Sequence, residues 1–352
     1  MMAKHPPITP GPIALFGSGE TSPGGRRIFD FLFKLAVPSP RVKILETPAG
    51  FELNSNQVAA NVGDFIKHHL QNFQAEIEII PARKKGTGSS PDDPGIVQPI
   101  LEADLIFMGP GSPSFAVRQL EGSLAWEYIL ARHRLGAGLA FSSAATVAIS
   151  SFALPVYEIY KVGEDLHWKK GLDFFSPYNL PIVFIPHWNN QDGGEGLDTS
   201  RCYMGQPRFE ELTRLLPDDQ IVVGIDENTG LVIDFQGDCY HVVGQGNVTI
   251  LDQGSENVIP AGNNLSLTDL GEFDLGNPLS GINQVSWEAA LKAAERKAKP
   301  AAPPPDVIGL AEEREKARSE KNWKKADQLR SEIEARGWMV QDQSDGYQLE
   351  EN

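Results

Sequence analysis

The chain has 352 residues, 41% of them hydrophobic, a formal charge of −16 and a pI near 4.9. That apolar content suits one large domain plus a small one, and the acidic balance works against a broad phosphate-binding surface, which needs clustered Lys and Arg. Two cysteines, Cys202 and Cys239, are too few for a disulfide framework or a four-thiolate zinc site, and no apolar stretch approaches the roughly 20 residues that cross a bilayer.

The N-terminal run MMAKHPPITPGPIALFGSG carries no export signal, so a cytoplasmic protein without a membrane anchor is expected. Short β-rich runs then alternate with helical patterns: IALF before Gly17, VKILE before Thr47, AEIEII before Pro81, DLIFM before Gly109 and GLAF before Ser142. Between them Ile28, Phe29, Leu32, Phe33 and Leu35 recur at helical spacing, as do Val58, Val62, Phe65, Ile66 and Leu70. This rhythm predicts an α/β fold with a mainly parallel sheet flanked by helices. After Ser150 the segments VYEIYKV, PIVFIP, QIVVGID, LVIDF, CYHVV and VTIL predict added antiparallel strands. Near residue 255 the pattern weakens, and a helix from about Trp287 runs into a Pro/Ala-rich spacer. The expected domains are therefore 1–295, a linker 296–305, and a small unit 306–352 built as a helical hairpin followed by a terminal strand or β-hairpin at GWMV.

The stretch LAFSSAATVAIS passes from an apolar run straight into small, helix-compatible residues. Such a strand-to-helix turn lifts a serine hydroxyl clear of the backbone beside helix N–H groups that can hold an oxyanion. Small residues two positions before and after suit Ser142, with Ala140 and Ala144, better than Ser143, which has Phe141 before it and Ala145 after it. The neighbouring strand ends in Gly109-Pro110-Gly111-Ser112-Pro113; Pro110 has no N–H, so Gly111 and Ala144 are the candidate oxyanion donors.

In order, GSGE, GPGSP, SSAA, a His after an apolar run and GIDE resemble the cyanophycinase and dipeptidase E family of serine peptidases over residues 12–250. The resemblance implies a class I glutamine amidotransferase-like fold. It aligns the family's serine box with residues 141–146, making Ser143 the nucleophile, His187 in IPHW the base and Glu227 in GIDEN its carboxylate partner. A serine needs such a base, and the base a carboxylate that holds its tautomer. Phe141 and Ala145 stand where the family has glycines, and Phe141 is expected to crowd the turn. The arginine-rich run after the family's His is absent, so a preference for acidic peptides is not implied.

Alternatives remain among the residues. His167 could serve as base, with Glu158 or Asp165 orienting it; His241 reads as packed in the sheet, and His5, His68, His69 and His133 as solvated surface. Arg201 or Arg208 could bind an anionic group, Glu20 could face the pocket, and Asp192, Glu195 and Asp198 read as an exposed turn rather than a metal loop. Neither cysteine opens a helix after a strand, so a glutaminase is not expected. The GSGETSPGG turn lacks the third glycine of a dinucleotide fingerprint. The expectation is a serine hydrolase acting on a small peptide or amide, with no cofactor and no metal; the alternative is an inactive scaffold of the same fold. The oligomeric state is not legible.

Residues 306–352 resemble the small C-terminal domain of cysteinyl-tRNA synthetases through Arg318, Trp323, Ala326, Asp327, Arg330, Gly337 and Gly346. HIGH and KMSKS signatures are absent, so aminoacylation is not implied. Eight Lys and Arg against twelve Asp and Glu in this segment disfavour tRNA binding, although Lys321, Lys324, Lys325 and Arg330 could form a local patch.

Overall fold

The computed structural model describes residues 8–271, 273–274, 277, 279–298, 303–343 and 346–351. His5 and part of the Pro-rich spacer lie outside the described residues. The chain forms two compact units, Met1–Ala293 and Ala294–Asn352.

The first unit begins β1 (Ile13–Phe16), α1 (Pro23–Leu35), β2 (Arg41–Leu45), α2 (Ser55–His69) and β3 (Glu76–Ile80). It continues with α3 (Pro94–Val97), β4 (Leu105–Met108), α4 (Pro113–Leu120), α5 (Leu124–Arg134), β5 (Gly138–Ser142) and α6 (Ala144–Ala148). Next come β6 (Phe152–Ala153), β7 (Lys169–Lys170), β8 (Ile182–Ile185), α7 (Gln206–Thr213), β9 (Ile221–Ile225) and β10 (Thr229–Asp234). The last elements are β11 (Cys239–Gly244), β12 (Asn247–Asp252), β13 (Ser255–Pro260), β14 (Asn264–Ser266) and α8 (Gln284–Ala298), which crosses the boundary between the units.

Eight strands form one sheet in the order β14-β11-β10-β1-β5-β4-β2-β3. The run from β1 to β3 is parallel, and β10, β11 and β14 extend it antiparallel. A second sheet, β13-β12-β9-β8, pairs β8 with β9 in parallel and the rest antiparallel. The architecture is thus α/β, mainly parallel, with added antiparallel strands. Strand β1 shows why: Ile13 and Leu15 enter one apolar cluster while Ala14 and Phe16 enter the other, so a strand buried on both faces reads as continuous apolar residues. Helix α1 starts where it does because Pro23 fits the first turn and the Ser22 hydroxyl accepts hydrogen bonds from the Gly24 and Gly25 N–H groups.

Three expectations are corrected. Segment 156–162, read as β-rich, is helical, ending in a five-residue π-helical turn, Glu158–Val162; Val156 and Ile159, three apart, point inward together. His133, read as surface, is fully buried among Phe174, Tyr178 and Phe235, and burial pushes its pKa down to about 3. Strands β13 and β14 occupy the region after residue 255 that carries no clear pattern.

The second unit contains α9 (Pro305–Ser319), α10 (Trp323–Glu334) and the hairpin β15 (Trp338–Gln343) and β16 (Gly346–Glu351). Its buried apolar cluster is small: Val307, Ala311, Ile333, Trp338 and Val340. Buried Arg314 supplements it with a two-pronged pair to Asp342, at 2.8 and 3.1 Å, and Arg318 donates to the same carboxylate at 2.8 Å. The Arg314 hydrogen bonds hold the Asp342 carboxyl below its ordinary range. Among the described residues no helix is long and apolar enough to cross a membrane.

Candidate active site

Ser143 sits between β5 and α6 at φ 51°, ψ −109°, a backbone conformation rare for a residue with a side chain. The turn is fixed from both sides. The Ser143 N–H donates to the Phe16 carbonyl at 3.4 Å, and the buried Thr146 hydroxyl reaches the Phe16 and Phe141 carbonyls at 3.0 and 2.8 Å. Phe141 does not crowd this turn: it points into the large apolar cluster, its ring 6.1 Å from that of Phe174. With its Cα strained and its neighbours locked, Ser143 presents its hydroxyl to the cleft.

His187 follows β8 and also has positive φ, 52°. Its N–H donates to the Gly17 carbonyl, the next N–H, of Trp188, to that of Ile225, and the N–H groups of Cys202 and Arg201 return to the His187 and Trp188 carbonyls. Residues 201–203 are themselves all left-handed, so one tight turn clamps the histidine backbone. Trp188 fits because residue 224 is glycine; a Cβ there would lie 2.3 Å from the indole. The GIDE motif therefore makes room for the residue after the histidine.

The side chains meet in a chain of hydrogen bonds. Ser143 Oγ is 2.9 Å from His187 Nε2, and His187 Nδ1 is 2.8 Å from Glu227 Oε1. A carboxylate only accepts, so Nδ1 carries the proton and Nε2 is left to accept from the serine. The His187 hydrogen bond, helped by Asn190, holds the Glu227 carboxyl below its ordinary range against the opposing effect of burial. Asn190 Nδ2 donates to Oε1 at 2.9 Å and Asn189 Oδ1 accepts from the Glu227 N–H at 2.8 Å. The sequence reading missed both asparagines. Their only signal was position, directly after the His-Trp pair.

A cleft of about 480 Å³ opens in front of the serine, lined by Gly111, Ala144 and His187 on one side and by Tyr157, Tyr160 and Lys161 of the helical 156–162 segment on another. Ala144 is the first residue of α6, where N–H groups have no acceptor within the helix. Gly111 has φ 145° and lies so close to the turn at Thr47–Ala49 that a Cβ would sit 2.0 Å from the Pro48 carbonyl oxygen.

Comparison with known proteins bears on each unit separately. The crystal structure of a peptidase from an acI-B1 Actinobacterium superposes with a TM-score of 0.57 and 22% identity, covering 74% of this chain and 98% of that one. The two share a fold. Residues 304–348 match the family described as the cysteinyl-tRNA ligase anticodon binding domain. Cysteine–tRNA ligases of Opitutus terrae and Chlamydia muridarum are 39% identical over 80 residues and 50% identical over 46. Those matches cover 23% and 13% of this chain and only 17% and 10% of the ligases.

Within this fold the remaining candidates separate. Ser142 is buried and donates to Glu20 Oε2 at 2.7 Å, whereas the hydroxyl next to His187 Nε2 is that of Ser143. Glu20 is thus engaged by the neighbouring serine. Arg201 lays its guanidinium 3.8 Å over the Trp188 ring and donates to the Trp188 carbonyl, so it supports the histidine turn instead of reaching for an anion. Arg208 bonds the Met204 and Tyr203 carbonyls. His167 pairs with Glu164 and the Asp165 carbonyl, and Glu158 with Lys169, so neither joins Ser143. Asp192 accepts from the Tyr203 hydroxyl and Asp198 from the Ser200 and Gln206 N–H groups, whereas Glu195 is exposed. Cys202 lines the cleft but is buried, which pushes its thiol up to about 12 and keeps it protonated.

Proposed function

We propose that the first unit is a serine hydrolase of peptidase type acting on a small peptide or amide through Ser143, His187 and Glu227. The observation that carries this is the unbroken Ser143–His187–Glu227 hydrogen-bond chain beginning at a strained turn. Ser143 Oγ attacks the substrate carbonyl carbon while its proton moves to His187 Nε2, and Glu227 steadies the imidazolium. The oxygen that gains charge lies toward the N–H groups of Ala144 and Gly111. The C–N bond then breaks, the amine leaving with the Nε2 proton, and water cleaves the acyl-serine by the same relay in reverse. A cleft of about 480 Å³ accommodates a ligand of short-peptide size. A fluorophosphonate probe is expected to label the native protein on Ser143; a folded, unlabelled wild type would sink the reading.

Replacing Glu227 by glutamine should slow labelling by about 10²–10⁴-fold, because the amide no longer enforces the Nδ1 tautomer. The carboxylate is held below its ordinary range, so its contribution is fully present above that range and disappears only as pH falls through the lowered value. Rates measured across pH for both proteins check this: the wild-type to variant rate ratio should be constant above that range and shrink as pH falls through the lowered value.

A second reading concerns the second unit, where the match over residues 304–348 supports contact with tRNA. Its excess of acidic over basic residues makes that contact a small patch, so binding should be weak, detectable at low salt, with a shallow salt slope set by the few phosphates it neutralises. Filter binding of bulk tRNA at low and moderate ionic strength tests it; no retention at low salt would exclude it.

A further inference from the structure

We propose that Asp234, Cys239 and His241 form a binding site for a divalent transition-metal ion of the zinc class at the antiparallel end of the eight-stranded sheet. Asp234 closes β10 and Cys239 opens β11 directly across the register from it, while His241 stands two residues further on. With the two-residue period of a strand, all three project from one face. Cys239 Sγ is 3.1 Å from His241 Nε2, which is 4.0 Å from Asp234 Oδ2, and the three donor atoms lie within 4.8 Å of one another. Bond lengths of about 2.0–2.3 Å in a tetrahedral zinc site place ligand atoms roughly 3.3–3.6 Å apart. Small side-chain rotations suffice to close the site.

The supporting hydrogen bonds are those a metal site needs. His241 Nδ1 donates at 2.8 Å to Oδ1 of Asn264, its partner across to β14, which leaves the Nε2 lone pair facing Cys239 and Asp234. Asp234 Oδ1 accepts from the Gln236 and Gly237 N–H groups at 3.0 and 2.9 Å, which orients Oδ2 toward the other ligands. The His241 and Asp234 side chains are 18% and 16% exposed, enough for an ion to enter. The donor set decides the ion. Thiolate and imidazole disfavour Mg²⁺ and Ca²⁺, which take oxygen ligands, and thiolate plus carboxylate neutralise a dication. Binding displaces the Cys239 thiol proton to solvent as the S–metal bond forms, leaving a fourth position for water. The ion would tie β10, β11 and the turn between them together, with Asn264 of β14 in its outer shell.

The test uses the untagged full chain, stripped with chelator and titrated with Co²⁺ alone. The expected result is one ion per chain, a thiolate-to-cobalt charge-transfer band that Zn²⁺ displaces, and a higher Tm with Zn²⁺. Cys239→Ser should lose the band and Cys202→Ala should keep it. Asn264→Ala should weaken binding about 10-fold or more. No band in the wild type, or a band retained in Cys239→Ser, overturns the proposal. Should Cys239→Ser fail to fold by circular dichroism, His241→Gln decides: unchanged Co²⁺ affinity in that variant overturns the site, and loss of binding supports it.

Discussion

Ser143→Ala is expected to lose all fluorophosphonate labelling and to cut any hydrolytic rate by about 10⁶-fold, while Ser142→Ala keeps labelling. The two serines are adjacent, yet their surroundings separate them. Ser143 Oγ faces His187 Nε2 at 2.9 Å, whereas the Ser142 hydroxyl is buried and bonded to Glu20. Alanine at 143 keeps the same strained backbone and removes one oxygen, so the urea midpoint should stay close to wild type. Alanine at 142 strands the Glu20 carboxylate without its donor and should lower stability by about 1 kcal/mol. Labelling by mass spectrometry with peptide mapping reads both variants. If Ser142→Ala were the silent one, the nucleophile assignment would be off by a residue.

The second large effect is expected at Gly111. Alanine there meets two obstacles at once: φ 145° and a Cβ 2.0 Å from the Pro48 carbonyl oxygen. The Pro48 turn has little freedom to retreat. Its carbonyl accepts from the Ser112 N–H at 2.9 Å, the Thr47 hydroxyl is tied to the Ala82 carbonyl, and buried Glu46 is bonded by Ser55 and Arg83. Gly111→Ala should therefore destabilise by at least about 2 kcal/mol. In the folded fraction, displacement of the Gly111 N–H should slow acylation by about 10²–10³-fold. Denaturation by urea and labelling rates on the same preparation separate the two. Wild-type values in both would remove Gly111 from the oxyanion site.

The parallel strands were legible because burial on both faces writes itself as continuous apolar runs, as in DLIFM and GLAF. Segment 156–162 misled for a related reason: Val, Tyr and Ile favour strands, and only the inward pairing of Val156 with Ile159 marks the helix. His133 was misread because polarity predicts exposure, whereas an aromatic nest from distant segments covers it. At the site, small-residue spacing favoured Ser142 and the family resemblance Ser143; the structure places Ser143 opposite His187 because the large Phe141 side chain leaves the turn for the core. Arg201 illustrates the limit of composition. Its charge suggested an anion, but a left-handed turn lays it on Trp188. The asparagine pair behind Glu227 depended on contacts between segments about forty residues apart, which no local pattern encodes.

The serine follows β5 of the large sheet, whereas the histidine follows β8 and the carboxylate follows β9 of the smaller one. During synthesis the proposed nucleophile thus leaves the ribosome well before its base, and the carboxylate later still. An emerging chain carries an ordinary alcohol at position 143 until the second sheet has docked. On this arrangement the proposed hydrolytic chemistry depends on assembly of both sheets, because no single sheet carries all three groups.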